Sequence, residues 1–239
     1  STFGSQPIFK AGYVIKSGNT SYKLTWGESF QEPSPRLLYG GWQGAGNDPE
    51  LNPEEASTWE LSWHYITEKQ RLSLTLVEVK LSKTISLFAG GASNSPANQT
   101  LRSLDLISQK TFDWSMGKTT VWFNYSHLFN VYPVRRAATL AQSLEQNRST
   151  GPSGDVAQDK LMLGVELAFS NAFSTTLANR YISSRHTSAL NPIARIPGYF
   201  VSDIHLRWPK WFKQVDLSVK ITNLFDKRYF HPGVNNGDS

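Results

Sequence analysis

The run Lys160-Leu161-Met162-Leu163-Gly164-Val165-Glu166-Leu167-Ala168-Phe169-Ser170 decides the class of fold. In an extended chain successive side chains point to opposite faces. Leu161, Leu163, Val165, Leu167 and Phe169 therefore share one face, and Met162, Gly164, Glu166, Ala168 and Ser170 share the other. One side is apolar and the other is small or polar. Residues 215–224 repeat the pattern, with Val215, Leu217, Val219 and Ile221 against Asp216, Ser218, Lys220 and Thr222. Residues 57–66 do so again, with Trp59, Leu61, Trp63 and Tyr65 against Thr58, Glu60, Ser62 and His64.

Working outward, about ten such stretches follow one another. Further strands are expected over residues 8–16, 21–30, 101–112, 119–128, 174–184 and 198–208, and another starts at Arg71. In that last one Leu72, Leu74 and Leu76 are in phase, after which Val77, Val79 and Leu81 take over. A one-residue slip of this kind predicts a β-bulge. Residues 83–90 either continue this strand or belong to the loop whose tip is 91–98. The joins alternate in length. Short turns fall at 17–20, 67–70, 113–118, 171–173 and 209–214, and long segments at 31–56, 130–159 and 185–197. The longest of these carries a helical pattern over residues 137–146, with Leu140 and Leu144 four apart.

Composition narrows what this sheet can be. The chain has 239 residues with a formal charge of +5 and no basic stripe, so nothing points to nucleic acid. No run of 18 apolar residues exists, which excludes a transmembrane helix of the usual kind. A membrane barrel needs no such run, because only alternate residues face lipid. Strands of about ten residues, tilted about 45°, suit the apolar band of an outer membrane. Aromatic residues are abundant, with 8 Trp, 9 Tyr and 13 Phe. Trp59, Trp63, Tyr65, Trp122, Tyr125, Phe169, Tyr199, Phe200 and Trp208 stand where aromatic girdles are expected. Cysteine is absent, so thiol catalysis and disulfides are excluded. Residues 1–10 lack a signal-peptide pattern, which leads us to expect that the chain starts inside a longer precursor.

Three motifs stand in order along the chain. Ser29-Phe30-Gln31-Glu32-Pro33-Ser34-Pro35-Arg36 comes first. Asn47-Asp48-Pro49-Glu50-Leu51-Asn52-Pro53-Glu54-Glu55 follows and runs into Thr58-Trp59-Glu60-Leu61. Thr222-Asn223-Leu224-Phe225-Asp226-Lys227-Arg228-Tyr229 lies near the end. Together they resemble the C-terminal part of the β-barrel domain of TonB-dependent outer-membrane receptors.

The resemblance implies an all-β, antiparallel transmembrane β-barrel in which this chain supplies about ten strands of 22. Short turns would be periplasmic and long loops extracellular. Residues 1–239 would be a partial barrel domain without the plug and the last strand. An open sheet of that kind exposes two edges. The implied function is active transport of a scarce nutrient, most of all a ferric siderophore or similar metal chelate, energised through TonB contacting the plug. The implied location is the bacterial outer membrane, with outer-membrane lipid and lipopolysaccharide as further partners.

No catalytic constellation is visible, so an enzyme is not expected. The five histidines, His64, His127, His186, His205 and His231, form no spaced ligand pair, and no metal or cofactor is expected. His64 and His205 read as polar lumen residues. Candidate ligand-binding residues are loop aromatics and cations: Arg36, Tyr39 and Trp42; Tyr132, Arg135 and Arg136; then Arg195 and His231. Glu60, Asp105, Glu166, Asp203 and Lys220 are expected to line the pore or meet the plug. Two other readings stay open, a passive porin-like barrel and a soluble β-rich carbohydrate-binding module. Charging Leu163 or Val219 should block assembly of a barrel, whereas charging Gly164 or Ser218 should be milder.

Overall fold

The computed structural model describes residues 7–40, 48–88, 91–129, 142, 156–170, 173–187, 191–212 and 214–231. In chain order its elements are β1 (Lys10–Ser17), β2 (Thr20–Gln31), α1 (Pro35–Tyr39), β3 (Glu54–Ile66), β4 (Gln70–Ser82), β5 (Ile85–Phe88), β6 (Gly91–Asn94), β7 (Gln99–Trp114), β8 (Gly117–Leu128), β9 (Asp159–Phe169), β10 (Ser174–Ile182), β11 (Arg185–His186), β12 (Arg195–Ile196), β13 (Tyr199–Phe212) and β14 (Val215–Ile221). Ten of these strands make one antiparallel sheet in the order β1-β2-β3-β4-β7-β8-β9-β10-β13-β14. Each strand pairs with its neighbour in the meander. The sheet is unclosed, with β1 and β14 at its edges.

The short–long rhythm is borne out. Residues 18–19, 67–69, 115–116, 170–173 and 213–214 join strands at one end of the sheet. The segments 32–53, 83–98, 129–158 and 183–198 join them at the other. The hairpin β5–β6 and the two-residue ladder β11–β12 sit inside those long joins. Residues 91–94 therefore form a strand within the segment expected to be a loop tip. The loop helix expected over residues 137–146 lies outside the described residues, apart from Gln142.

Register carries the alternation from strand to strand. Leu161, Leu163 and Val165 lie opposite Tyr125, Phe123 and Val121 on β8. They lie opposite Tyr181, Asn179 and Leu177 on β10. Further along the same face Leu61 and Trp63 pair with Leu76 and Leu74. The result is one continuous apolar face, left open by the fold, with Leu61 48%, Leu163 42% and Ile221 46% exposed. A water-soluble monomer does not leave such a face bare, whereas a hydrocarbon environment covers it at no cost. The buried apolar side chains among the described residues are Leu38, Leu51, Ala92, Ala157, Ile196, Tyr199 and Val201, all at the long-loop end. The core therefore sits under the loops, not within the wall.

Aromatic rings mark the apolar face near both ends. At the short-turn end Trp114 meets Phe169 at 5.5 Å, Phe169 meets Phe173 at 5.6 Å, and Phe173 meets Trp208 at 4.7 Å. At the other end Trp26 and Trp59 are 6.2 Å apart, and the Trp26 indole N–H donates to Ser57 Oγ at 3.0 Å. Two of the expected girdle residues are instead on the polar face. Trp122 pairs with Gly164. A Cβ at Gly164 would lie 2.2 Å from Trp122 Cζ2, so the indole occupies the space above that glycine. Charging Gly164 is therefore not the mild change expected, and Ser218 is the better control. Tyr199 is buried at the start of β13 and belongs to the loop end described below.

The expected bulge in β4 does not form. Residues 71–82 run in unbroken register with β3, and residues 70–81 do so with β7. The change of phase has another cause: beyond Leu76 the strand leaves the apolar band. Its outer row continues as Glu78 and Lys80, where Arg102 Nε meets Glu78 Oε2 at 2.7 Å. Val79 turns inward opposite Leu101. The irregularity lies instead in β13, between Trp208 and Phe212, where β13 runs into the segment expected to be a turn. Pro209 cannot donate to a ladder, and Lys210 adopts φ 53. The Lys210 N–H is satisfied by Asp216 Oδ1 at 2.8 Å.

Candidate functional site

The polar face is wired by hydrogen bonds. Lys23 Nζ reaches Glu60 Oε1 at 3.2 Å, Ser62 Oγ donates to the same carboxylate at 3.0 Å, and Thr75 Oγ1 donates to Ser62 at 3.3 Å. Ser126 Oγ donates to Asp105 Oδ1 at 2.6 Å. His64 Nδ1 contacts Ser73 Oγ at 2.8 Å and His205 Nε2 contacts Ser218 Oγ at 2.7 Å, both on this face as expected. Glu166 and Lys220 share a row, each registering through Thr176 and His205.

His127 departs from its isolation in sequence. Its Nδ1 lies 2.7 Å from Asp159 Oδ1, and the Tyr125 hydroxyl donates to the same oxygen at 2.7 Å. Register puts this trio at the upper edge of the apolar face, where each polar atom satisfies another. No group of three His, Cys, Asp or Glu residues suited to a metal occurs among the described residues.

The long loops are organised bodies. Ser34 caps α1, its Oγ accepting from the Leu37 N–H, with Pro35 at the first helical position. That single turn buries Leu38 against Leu51 and Ala92, with Leu37 and Ile85 packed beside them. Asn94 links this loop to hairpin β5–β6: its Oδ1 accepts from the Asn52 N–H at 2.8 Å, and its Nδ2 donates to the Asn52 carbonyl at 2.9 Å and the Lys83 carbonyl at 2.6 Å. Glu54 Oε1 accepts from the Ile85 N–H at 2.6 Å. Arg36 and Tyr39 are exposed on the same turn that buries Leu38. Trp42, Tyr132, Arg135 and Arg136 lie outside the described residues.

A second body stands over β9, β10 and β13. The 183–198 segment buries Thr187, Asn191 and Ile196, and Arg185 is only 7% exposed. Arg195 donates from its guanidinium to Ser184 Oγ, so it braces its own loop. The stretch after β14 returns to this corner through Asn223, which adopts φ 51. Its N–H donates to Asp203 Oδ1 at 2.8 Å, its Nδ2 donates to the Lys227 carbonyl at 3.0 Å, and its Oδ1 accepts from the Lys227 N–H at 2.9 Å. Asparagine suits this place because it tolerates a left-handed conformation and bonds nearby backbone. The clasp lays Tyr229 on Tyr199, rings stacked at 4.3 Å, and sets His231 edge-on to both.

Beside these rings lies a cavity of about 320 Å³ lined by Lys160, Ile182, Arg185, Tyr199 and His231. Of these residues only His231 was a candidate in the sequence. Lys160 and Tyr199 are both joined to Ile182 by register, from β9 and β13, so they share one row of the polar face. No local pattern marks such a row. Tyr199 looked like a girdle ring, and Arg185 looked like any loop cation.

A family model described as "TonB dependent receptor-like, beta-barrel" matches residues 8–224. No curated protein matches the chain in sequence. Solved structures do match. The ferric-catecholate import receptor Fiu from Escherichia coli K12 superposes with a TM-score of 0.68 at 18% identity, covering 92% of this chain and 31% of that one. The siderophore receptor PiuA from Acinetobacter baumannii gives 0.69 at 19% identity, with 92% and 32% covered. The ferric yersiniabactin uptake receptor FyuA from Yersinia pestis gives 0.65 at 17% identity, with 97% and 34% covered. The chain thus spans about a third of the length of these structures.

Proposed function

Because the chain belongs to the TonB-dependent receptor-like β-barrel family, whose barrels are outer-membrane transport receptors and not enzymes, we propose that it forms the wall and loop end of a receptor that takes up a ferric siderophore or a similar metal chelate. In this reading the long loops are extracellular, the short turns are periplasmic, and transport is energised through TonB. Uptake of iron chelates by the structurally similar receptors supports the ligand class. One observation carries most weight: cationic and aromatic side chains, Lys160, Arg185, Tyr199 and His231, line one cavity at the loop end of a hydrogen-bonded polar face. Large anionic chelates are recognised by such aromatic and cationic groups.

Arg36, Tyr39, Trp42, Tyr132, Arg135, Arg136, Arg195 and His231 are the proposed ligand-contacting residues, of which Arg195 also braces its own loop. Lipopolysaccharide would meet the outer row that bears Lys80 and Arg102. The soluble carbohydrate-module reading needs a second sheet over the apolar face; among the described residues one ten-stranded sheet and two small ladders are present.

The test is uptake of radiolabelled ferric chelates by cells expressing the natural protein, with and without TonB. Accumulation of at least one chelate that vanishes without TonB is expected. Equal accumulation in both strains would return the reading to a passive barrel.

A further inference from the structure

The corner where β9, β10 and β13 meet the loops has a chemistry of its own. Lys160 projects from the polar face and pairs with no carboxylate among the described residues. The neighbouring Asp159 points to the opposite face, where His127 and Tyr125 hold it. Arg185 is more than nine-tenths buried. Its Nη2 donates to the Phe230 carbonyl at 3.3 Å, while its buried Nε has no partner. The cavity lining contains no acidic residue. The lining therefore offers an ammonium and a buried guanidinium and no carboxylate, a set that suits an anion. Tyr199 and Tyr229 stack to one side, and His231 stands edge-on to them.

We propose that Lys160, Arg185, Tyr199 and His231 form a subsite for a planar ring carrying ionised oxygen atoms, an aryl carboxylate or phenolate. Its part in ligand capture rests on the receptor reading above. Lys160 and Arg185 neutralise the oxygens, and Tyr199 with His231 supplies an aromatic wall for the ring, Tyr199 being backed by the stacked Tyr229. A cavity of about 320 Å³ is at the small end of ligand pockets, so it admits one arm of a chelate, not the whole. The Asn223 clasp is a positioning device here, since it delivers Tyr229 and His231 to the corner.

The test uses the natural protein purified in detergent, with salicylate as probe, benzyl alcohol as the uncharged ring, and calorimetric titration as readout. Salicylate should bind at least about tenfold tighter than benzyl alcohol, and Lys160→Gln should weaken salicylate about tenfold. Lys160 is exposed, so its replacement strands no buried group and keeps the test valid if Arg185→Gln misfolds. Arg185→Lys should retain more affinity than Arg185→Gln wherever both fold. Equal affinity for the two probes, or salicylate affinity unchanged by Lys160→Gln, overturns the subsite. Chelate uptake that persists in a protein without salicylate binding sinks the subsite and leaves the receptor reading. Salicylate binding without any chelate uptake does the reverse.

Discussion

The two ends of this sheet are built on different principles. At the short-turn end, two to four residues join each strand pair, and a run of touching rings from Trp114 to Trp208 lies along the apolar face. The ion pairs there are exposed, as in Lys69–Asp113. At the long-loop end, a small buried core forms around Leu38, Ile196 is buried in the second loop body, and side-chain amides tie backbone to backbone. The contrast shows where specificity can reside. The turn end has only to stop strands at an interface, whereas the loop end has to hold irregular backbone in one shape.

The largest effect should come from the wall that joins the two ends. Leu163→Arg places a cation on the apolar face, at a cost of about 2–4 kcal/mol near the bilayer midplane. Loss of heat-modifiable migration on gels is expected, while Ser218→Arg on the polar face should assemble. Equal failure of both would break the division into faces. Next, Gly164→Val should destabilise by about 1–3 kcal/mol through collision with the Trp122 indole. Adding Trp122→Leu should recover much of that loss, measured as coupling in a double-mutant urea-unfolding cycle.

A smaller effect is expected within the loops. Leu38→Ala opens the core shared with Leu51 and Ala92, costing about 2 kcal/mol locally. Faster proteolytic nicking of the segments around residues 32–53 and 83–98 should appear together, with barrel assembly unchanged. Nicking of one segment alone would mean that Asn94 does not couple them.

The smallest effect belongs to the turns. The Asp113 carboxylate, by hydrogen bonding to Lys69, holds the Lys69 ammonium protonated above its ordinary range. A raised folded-state value means that the pair's contribution is complete below the ordinary lysine value and is lost as pH rises through the raised one. Both side chains are exposed, so Lys69→Met should leave the unfolding midpoint at neutral pH almost unchanged. A large shift would show that the turns carry more of the stability than the contrast between the ends assigns to them.

Strand identity was legible wherever alternation was uninterrupted. The strands suggested over residues 160–170 and 215–224 are β9, one residue earlier at each end, and β14, three residues shorter at its end. The change of phase after Leu76 was visible but misleading, because a local pattern cannot distinguish a bulge from a strand that leaves the apolar band. Unbroken register on both sides of β4 decides between them. The candidate site was legible only at its edges. His231 stood out as a loop histidine, but Lys160 read as the first residue of a strand and Arg185 as one cation among many.

The amino-acid sequence alone determined the two faces, the alternation of short and long joins and the kinship carried by three ordered motifs. These depend on side-chain parity and neighbouring residues, which are local properties of the chain. Tertiary structure decided that Trp122 covers Gly164, that Asn223 clasps the returning segment, and that Lys160, Arg185, Tyr199 and His231 share one cavity. Those relations span up to 71 residues, from Lys160 to His231, and they exist only once strand register and loop closure bring distant parts of the chain together.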